Sequence, residues 1–311
     1  DPEMSRGLGD VYKRQILIWV MIYPMMIKVD FRSIRQAGKN GRGLLVTWVT
    51  NWLVKPFTMY GIAAFFLFHL FSGLIPHALA QQYLAGAVLL GAAPCTAMVF
   101  VWSTLTRGNP AYTVVQVATN DLIILIAFVP IVKFLLGVSE VSVPYDILFV
   151  SVFLFVVIPL AGGILTRHAV LRSRGQAYLD NIFVHKFDNA TTAGLLLTLV
   201  IIFSSQASII LANPLHILLI AVPLTIQTFL IFFLAYGAAH LLKLPFTIAA
   251  PAGMIGASNF FELSVAVAVA LFGPSSPAAL ATTVGVLTEV PVMLTLVRIA
   301  NATKEWFPHE S

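Results

Sequence analysis

The residues of this chain that could do chemistry lie inside apolar runs, where polar atoms are expensive. Cys95, the single cysteine, follows Pro94 in LLGAAPCTAMVFVW (89–102). Asn259 and Glu262 stand three apart in ASNFFEL (257–263), Asn120 and Asp121 close VQVATND, Asn51 and Lys55 belong to NWLVKPF, and Glu289 lies in VGVLTEVP. A lone thiol is a soft ligand that captures weakly and releases. Carboxylates accept hydrogen bonds and carry protons, and amides orient a polar solute. One cysteine excludes an intrachain disulfide and any CxxC metal site. HExxH and GxSxG are absent and the histidines follow no ligand spacing, so no nucleophile–base pair supports an enzyme. No cofactor is expected.

Each of these positions has a bland reading beside the functional one. Pro94–Cys95 fits a kink with a packed thiol, or a broken helix with Pro94 at the first position of a new half-helix. Asn259 with Glu262 fits a variant capping box. A helix start at the centre of an apolar run would itself imply a break, which lipid tolerates only inside protein or along a cavity. Asp121 and Glu289 either work in function or satisfy backbone freed by the breaks. Lys55 either pairs with a buried carboxylate or simply neutralises one. Ionisable groups at membrane depth are functional candidates because lipid makes them costly.

The elements that must position them are membrane spans. The chain of 311 residues is 59% hydrophobic and 10% charged, far below the charge of soluble domains. Runs of roughly 20 apolar residues cross a bilayer, and nine are predicted: 16–36, 44–73, 83–106, 111–136, 145–166, 187–210, 214–242, 247–272 and 277–300. The net charge of +5 does not point to nucleic acid, because the basic residues sit in short connections between spans. Arg32, Arg35, Lys39 and Arg42, then Arg107, then Arg167, Arg172, Arg174 and Lys186, then Lys243, then Arg298 and Lys304 occupy alternate connections. The positive-inside rule puts those connections and the C-terminus in the cytoplasm of a multi-pass plasma-membrane protein. Residues 1–15, DPEMSRGLGDVYKRQ, carry neither apolar period nor signal-peptide h-region and read as a non-native leader. Their GLGD, outside any span, carries no protease signal.

Two segments share a layout. GAAPCTAMVFVWSTLTRGNPAYTVVQVATND and GASNFFELSVAVAVALFGPSSPAALATTVGVLTE each open on small residues, run through an apolar half-helix, turn at a proline (Pro110, Pro277) and reach a buried acid (Asp121, Glu289). Two inverted copies of five spans form a transporter plan. Residues 137–311 supply a complete second copy and a tail; 16–136 supply a first copy that lacks one helix. The expected fold is an all-α polytopic membrane protein with helices broken near Ala92–Pro94 and Gly256–Asn259, lying close together at similar depth.

NWLVKPF, GAAPCTAMVFVWS, RGNPAYTVVQVATNDLI and GASNFFELSVAVAV resemble the Acr3 family of arsenite efflux permeases, in the bile acid/arsenite/riboflavin transporter superfamily. The resemblance implies a ten-helix fold like that of bile-acid/sodium symporters, with two broken, crossing core helices. It implies export of arsenite, As(OH)3, with protons as the coupling ion; antimonite is left open as a further substrate. The family's essential cysteine and glutamate fall by motif on Cys95, a transient ligand of As(III), and on Glu262. The competing reading on the same fold is a sodium-coupled transporter of an organic anion, which needs no thiol. Oligomeric state is left open.

Overall fold

The computed structural model describes residues 41–96, 98–138, 145–183 and 214–308, with isolated positions between 23 and 27 and between 186 and 211. The spans predicted at 16–36 and 187–210 fall almost wholly outside the described residues. Regular structure among the described residues is helical throughout: α1 Gly41–Leu70, α2 His77–Gly91, α3 Val99–Leu105, α4 Pro110–Val138, α5 Tyr145–Val152, α6 Ile158–Tyr178, α7 Pro214–Leu241, α8 Phe246–Ala257, α9 Phe261–Phe272 and α10 Pro277–Ala302. A π-turn, Phe153–Val157, joins α5 to α6. α1, α4, α7 and α10 are each long and apolar enough to cross a membrane unbroken. Their outer faces carry exposed Leu53, Ile126, Phe134, Leu218 and Phe233, as lipid-facing surfaces do. The chain is a multi-pass, all-α membrane protein.

Both predicted breaks are present. α2 ends at Gly91 and α3 starts at Val99; α8 ends at Ala257 and α9 starts at Phe261. Freed backbone groups must find partners in a membrane, and the two breaks satisfy each other. Pro94 faces Asn259 in an antiparallel β-bridge, flanked by Cys95 N–H donating to the Ser258 carbonyl at 3.2 Å and Phe260 N–H donating to the Ala93 carbonyl at 3.0 Å. Pro94 occupies the non-hydrogen-bonded position of this pair, where its missing N–H leaves nothing unmet. This corrects the expectation that Pro94 opens the second half-helix: it lies in the extended crossing segment, ahead of Met98, the residue that precedes α3.

The connections reveal the inversion. α3 and α7 both end in Schellman turns. Gly108 N–H bonds the Ser103 carbonyl at 2.7 Å and Leu244 N–H bonds that of Ala239 at 3.0 Å. The left-handed residue in each turn is basic, Arg107 (φ 54°) and Lys243 (φ 54°), where glycine is usual. The two turns touch, Asn109 N–H donating to the Thr247 carbonyl at 2.8 Å. The Asn301 amide donates to the Leu105 carbonyl at 3.0 Å, and the Tyr112 hydroxyl to the Gly43 carbonyl at 2.9 Å. The start of α1, both basic turns and the end of α10 therefore share one side of the bundle. On the opposite side the Tyr83 hydroxyl meets His216 Nδ1 at 2.9 Å, joining the starts of α2 and α7. The path α2–α3 runs toward the basic side and α8–α9 runs away from it, so the two broken helices cross antiparallel.

Small residues permit the close approach. Gly86 of α2 lies against the Ala278 backbone of α10, and Gly285 of α10 against Leu90 of α2. A Cβ on Gly91 would meet Met59 at 2.6 Å, and one on Gly256 would meet Thr50 at 3.4 Å. α1 thus spans both breaks, with Thr50 on one side of the crossing, Met59 on the other and Lys55 between them.

Candidate functional site

α1 is locally widened where it meets the crossing. Pro56 has no N–H and its ring would press on the carbonyl four residues before it. The helix takes a π-turn at Thr50–Val54, closed by Lys55 N–H donating to the Thr50 carbonyl. π-turns recur at functional sites, and this one carries Asn51 and is followed directly by Lys55, both fully buried. Lys55 Nζ donates to the Ser258 carbonyl at 2.5 Å. From behind, the Gln227 amide of α7 donates to the Lys55 carbonyl at 3.1 Å and to the Thr58 hydroxyl at 2.9 Å.

Ser258 is the hub of the crossing. Its carbonyl takes both Lys55 Nζ and Cys95 N–H, and its hydroxyl donates to Glu289 Oε1 at 2.6 Å. The Glu289 carboxylate also accepts the Asn259 backbone N–H, at 3.2 and 3.4 Å, and the Asn259 amide at 3.4 Å. Glu289, reaching across from α10, therefore holds the second break closed. The expected capping box between Asn259 and Glu262 does not form: α9 begins after Phe260 with no side-chain cap. The Asn259 N–H is committed to Glu289, and Glu262, already inside the first helical turn, does not reach back.

Cys95 is 1% exposed. Its sulfur accepts the Met98 N–H at 3.3 Å, so the thiol sits against the amides that open α3. Around the crossing several buried polar atoms meet no hydrogen-bonding partner among the described residues: Thr96 Oγ1, Asn259 Oδ1 and both Glu262 carboxylate oxygens. Buried polar atoms are rarely left so. Here they belong to the two breaks and the first turn of α9, in the same region as the thiol, and hydroxyl, amide and carboxylate oxygens are what a small polyhydroxylated solute needs. Glu262 stands three residues after Asn259, whose N–H and amide Glu289 holds, which places both acids near the second break.

Cys95, Lys55, Ser258, Asn259, Glu262 and Glu289 are thus brought together. Asn120 acts nearby as a strut, its Oδ1 accepting the Trp52 indole N–H at 3.1 Å and so docking α4 onto α1. Asn51 is buried with neither amide atom partnered among the described residues. Asp121 differs from its counterpart in the other copy. It is fully buried, and its two oxygens accept nothing from the described residues, so among the described residues the Glu289 cap has no mirror image in the first copy. Ser258, Gln227 and Thr96 were not singled out from sequence. For Ser258 the signal was available: it is the polar residue next to a break among small residues.

Residues 15–213 match the Sodium Bile acid symporter family. The chain is 68% identical over 293 residues to "Arsenical-resistance protein Acr3" of Alkaliphilus metalliredigens, covering 94% of this chain and 82% of that one. It is 46% identical to an uncharacterized transporter of Synechocystis, over 95% of this chain and 79% of the relative. Another "Arsenical-resistance protein Acr3", from Corynebacterium glutamicum, is 30% identical over 89% of this chain and 75% of its own length. With these matches this chain belongs to the sodium bile acid symporter family and, within it, to the Acr3 arsenical-resistance group.

Proposed function

We propose that this protein exports arsenite across the cytoplasmic membrane by proton antiport and so confers arsenic resistance, with antimonite as a second substrate. One observation carries the reading. The chain's single thiol is buried where two broken helices cross, beside polar atoms that lack partners among the described residues. As(OH)3 is uncharged near neutral pH and thiophilic. The Cys95 S–H exchanges with one As–OH, forming one As–S bond and releasing one water; the reverse exchange frees the solute. Glu262 and Asn259 accept hydrogen bonds from the remaining hydroxyls. One thiol gives reversible capture, whereas three would trap the metalloid. A large organic anion gains nothing from a thiol, and the site is closed around Cys95 and Glu262, 1% and 3% exposed.

Everted membrane vesicles test the reading. Arsenite accumulates inside them when a proton gradient is imposed, a protonophore collapses the accumulation, and replacing sodium with choline leaves it unchanged. Accumulation that follows a sodium gradient and ignores the protonophore would assign the coupling ion wrongly; no arsenite movement in any condition would remove the substrate.

The basic side of the bundle is the cytoplasmic side, because Arg42, Arg107, Lys243 and Lys304 are grouped there by the contacts described above. In a Cys95→Ser background, an impermeant maleimide added to intact cells labels Ser72→Cys, exposed on the opposite side, and spares Arg107→Cys and Lys304→Cys, which are likewise exposed. The reverse pattern would invert the orientation.

A further inference from the structure

Lys55 Nζ ends on one oxygen, the Ser258 carbonyl, and further oxygens are gathered on that same residue and its neighbour. Ser258 ends α8, and its carbonyl lies at the negative end of that half-helix. The Glu289 carboxylate stands on the same residue's hydroxyl, and the Asn259 amide, held to Glu289, leaves a buried Oδ1 with no partner among the described residues. A helix-end carbonyl, a hydroxyl, an amide oxygen and a carboxylate are the donors that hard monovalent cations take. Unwound half-helix ends are where transporters hold them. In this chain the position is filled from within: Lys55 is completely buried, and its Nζ donates to that carbonyl at 2.5 Å.

We propose that the Lys55 ammonium is a tethered cation filling a monovalent-cation site at the helix crossing, so that the transporter binds no sodium ion there. Removing the ammonium leaves a buried carboxylate and a helix-end carbonyl without a positive charge, which is costly. The vacated volume and the oxygen donors then suit Na⁺ or a small alkylammonium. Lys55 is in this sense a positioning residue. It holds Ser258, and through it the Glu289 cap and the Cys95 backbone, in the crossed geometry without an exchangeable ion.

The inference deepens the transporter reading and rests on it, but its test reads cation binding and not arsenite movement, so the two fail separately. The thermal midpoint of the purified full chain is measured in detergent in sodium, methylammonium or choline chloride at equal ionic strength. The wild-type midpoint is the same in all three. Lys55→Ala is destabilised in choline and regains several degrees in sodium or methylammonium, as ligand binding to the native state requires. Lys55→Ala/Glu289→Gln, lacking both charges, is indifferent to the cation. Recovery of folded Lys55→Ala solely when sodium or methylammonium is present during purification supports the same site. Equal behaviour of Lys55→Ala in sodium and choline, failure of every small cation to recover it, or specific stabilisation of the wild type by sodium each overturns the proposal.

Discussion

Cys95→Ser abolishes arsenite transport in the intact transporter while the protein remains folded and inserted. Serine is nearly isosteric with cysteine, and its Oγ can take the Met98 N–H that the sulfur accepts at 3.3 Å. The side chain is 1% exposed, so the packing volume changes little. The β-bridge around Pro94 uses backbone atoms and is untouched. What disappears is the As–S bond. An oxygen at position 95 can hydrogen-bond an arsenite hydroxyl but cannot exchange for it in a stable thio-ligand. A fall in transport of about two orders of magnitude or more corresponds to losing roughly 3 kcal/mol from the bound state. Arsenite uptake by everted vesicles, normalised to inserted protein, measures it, with the thermal midpoint as the control for folding. Undiminished uptake would reduce Cys95 to a packing residue and remove the thiol from the mechanism.

Much of this architecture was legible because membrane sequence is written in long apolar runs. The spans at 111–136, 214–242 and 277–300 correspond to the unbroken helices α4, α7 and α10. The breaks could be seen in advance because a proline after two alanines, and an asparagine after a serine, stand where a continuous helix would want neither. Which atoms close the breaks was not legible. Lys55 is 203 residues away from the Ser258 carbonyl it bonds, and sequence gives no signal for a side chain that ends on a backbone oxygen. Read locally, Asn259 and Glu262 form a capping box. A carboxylate 30 residues away takes the Asn259 N–H, and this tertiary contact overrides the local pattern. The same limit explains Asp121 and Glu289, which match by order in the two copies. Their surroundings differ, since the second copy places a serine hydroxyl and an asparagine beside its acid. The basic left-handed residues Arg107 and Lys243 were visible as orientation signals and invisible as helix caps, because glycine is the usual marker of that conformation.

Glu262→Gln eliminates proton-driven accumulation of arsenite in vesicles while part of the arsenite binding survives. Glu289 and Glu262 share the crossing but divide its work. Glu289 is spent on structure, its carboxylate engaged by the Ser258 hydroxyl and by the backbone and amide of Asn259. Glu262, 3% exposed in the first turn of α9, has both oxygens without a partner among the described residues. Because it does not cap α9, replacing it with glutamine removes no structural hydrogen bond, and the fold has no reason to suffer. The amide oxygen of glutamine still accepts a hydrogen bond from an arsenite hydroxyl, which keeps part of the affinity. Glutamine cannot take up a proton on one side of the membrane and release it on the other. In the proposed proton antiport that cycle drives export of the neutral solute against its gradient, because no force from the membrane potential acts on the solute itself. The variant should therefore equilibrate arsenite across the membrane without concentrating it, giving an inside-to-outside ratio near one under a proton gradient that drives the wild type well above it. Wild-type accumulation by Glu262→Gln would move the proton to another group, with Asp121, buried in α4 and likewise without a partner among the described residues, next to be substituted.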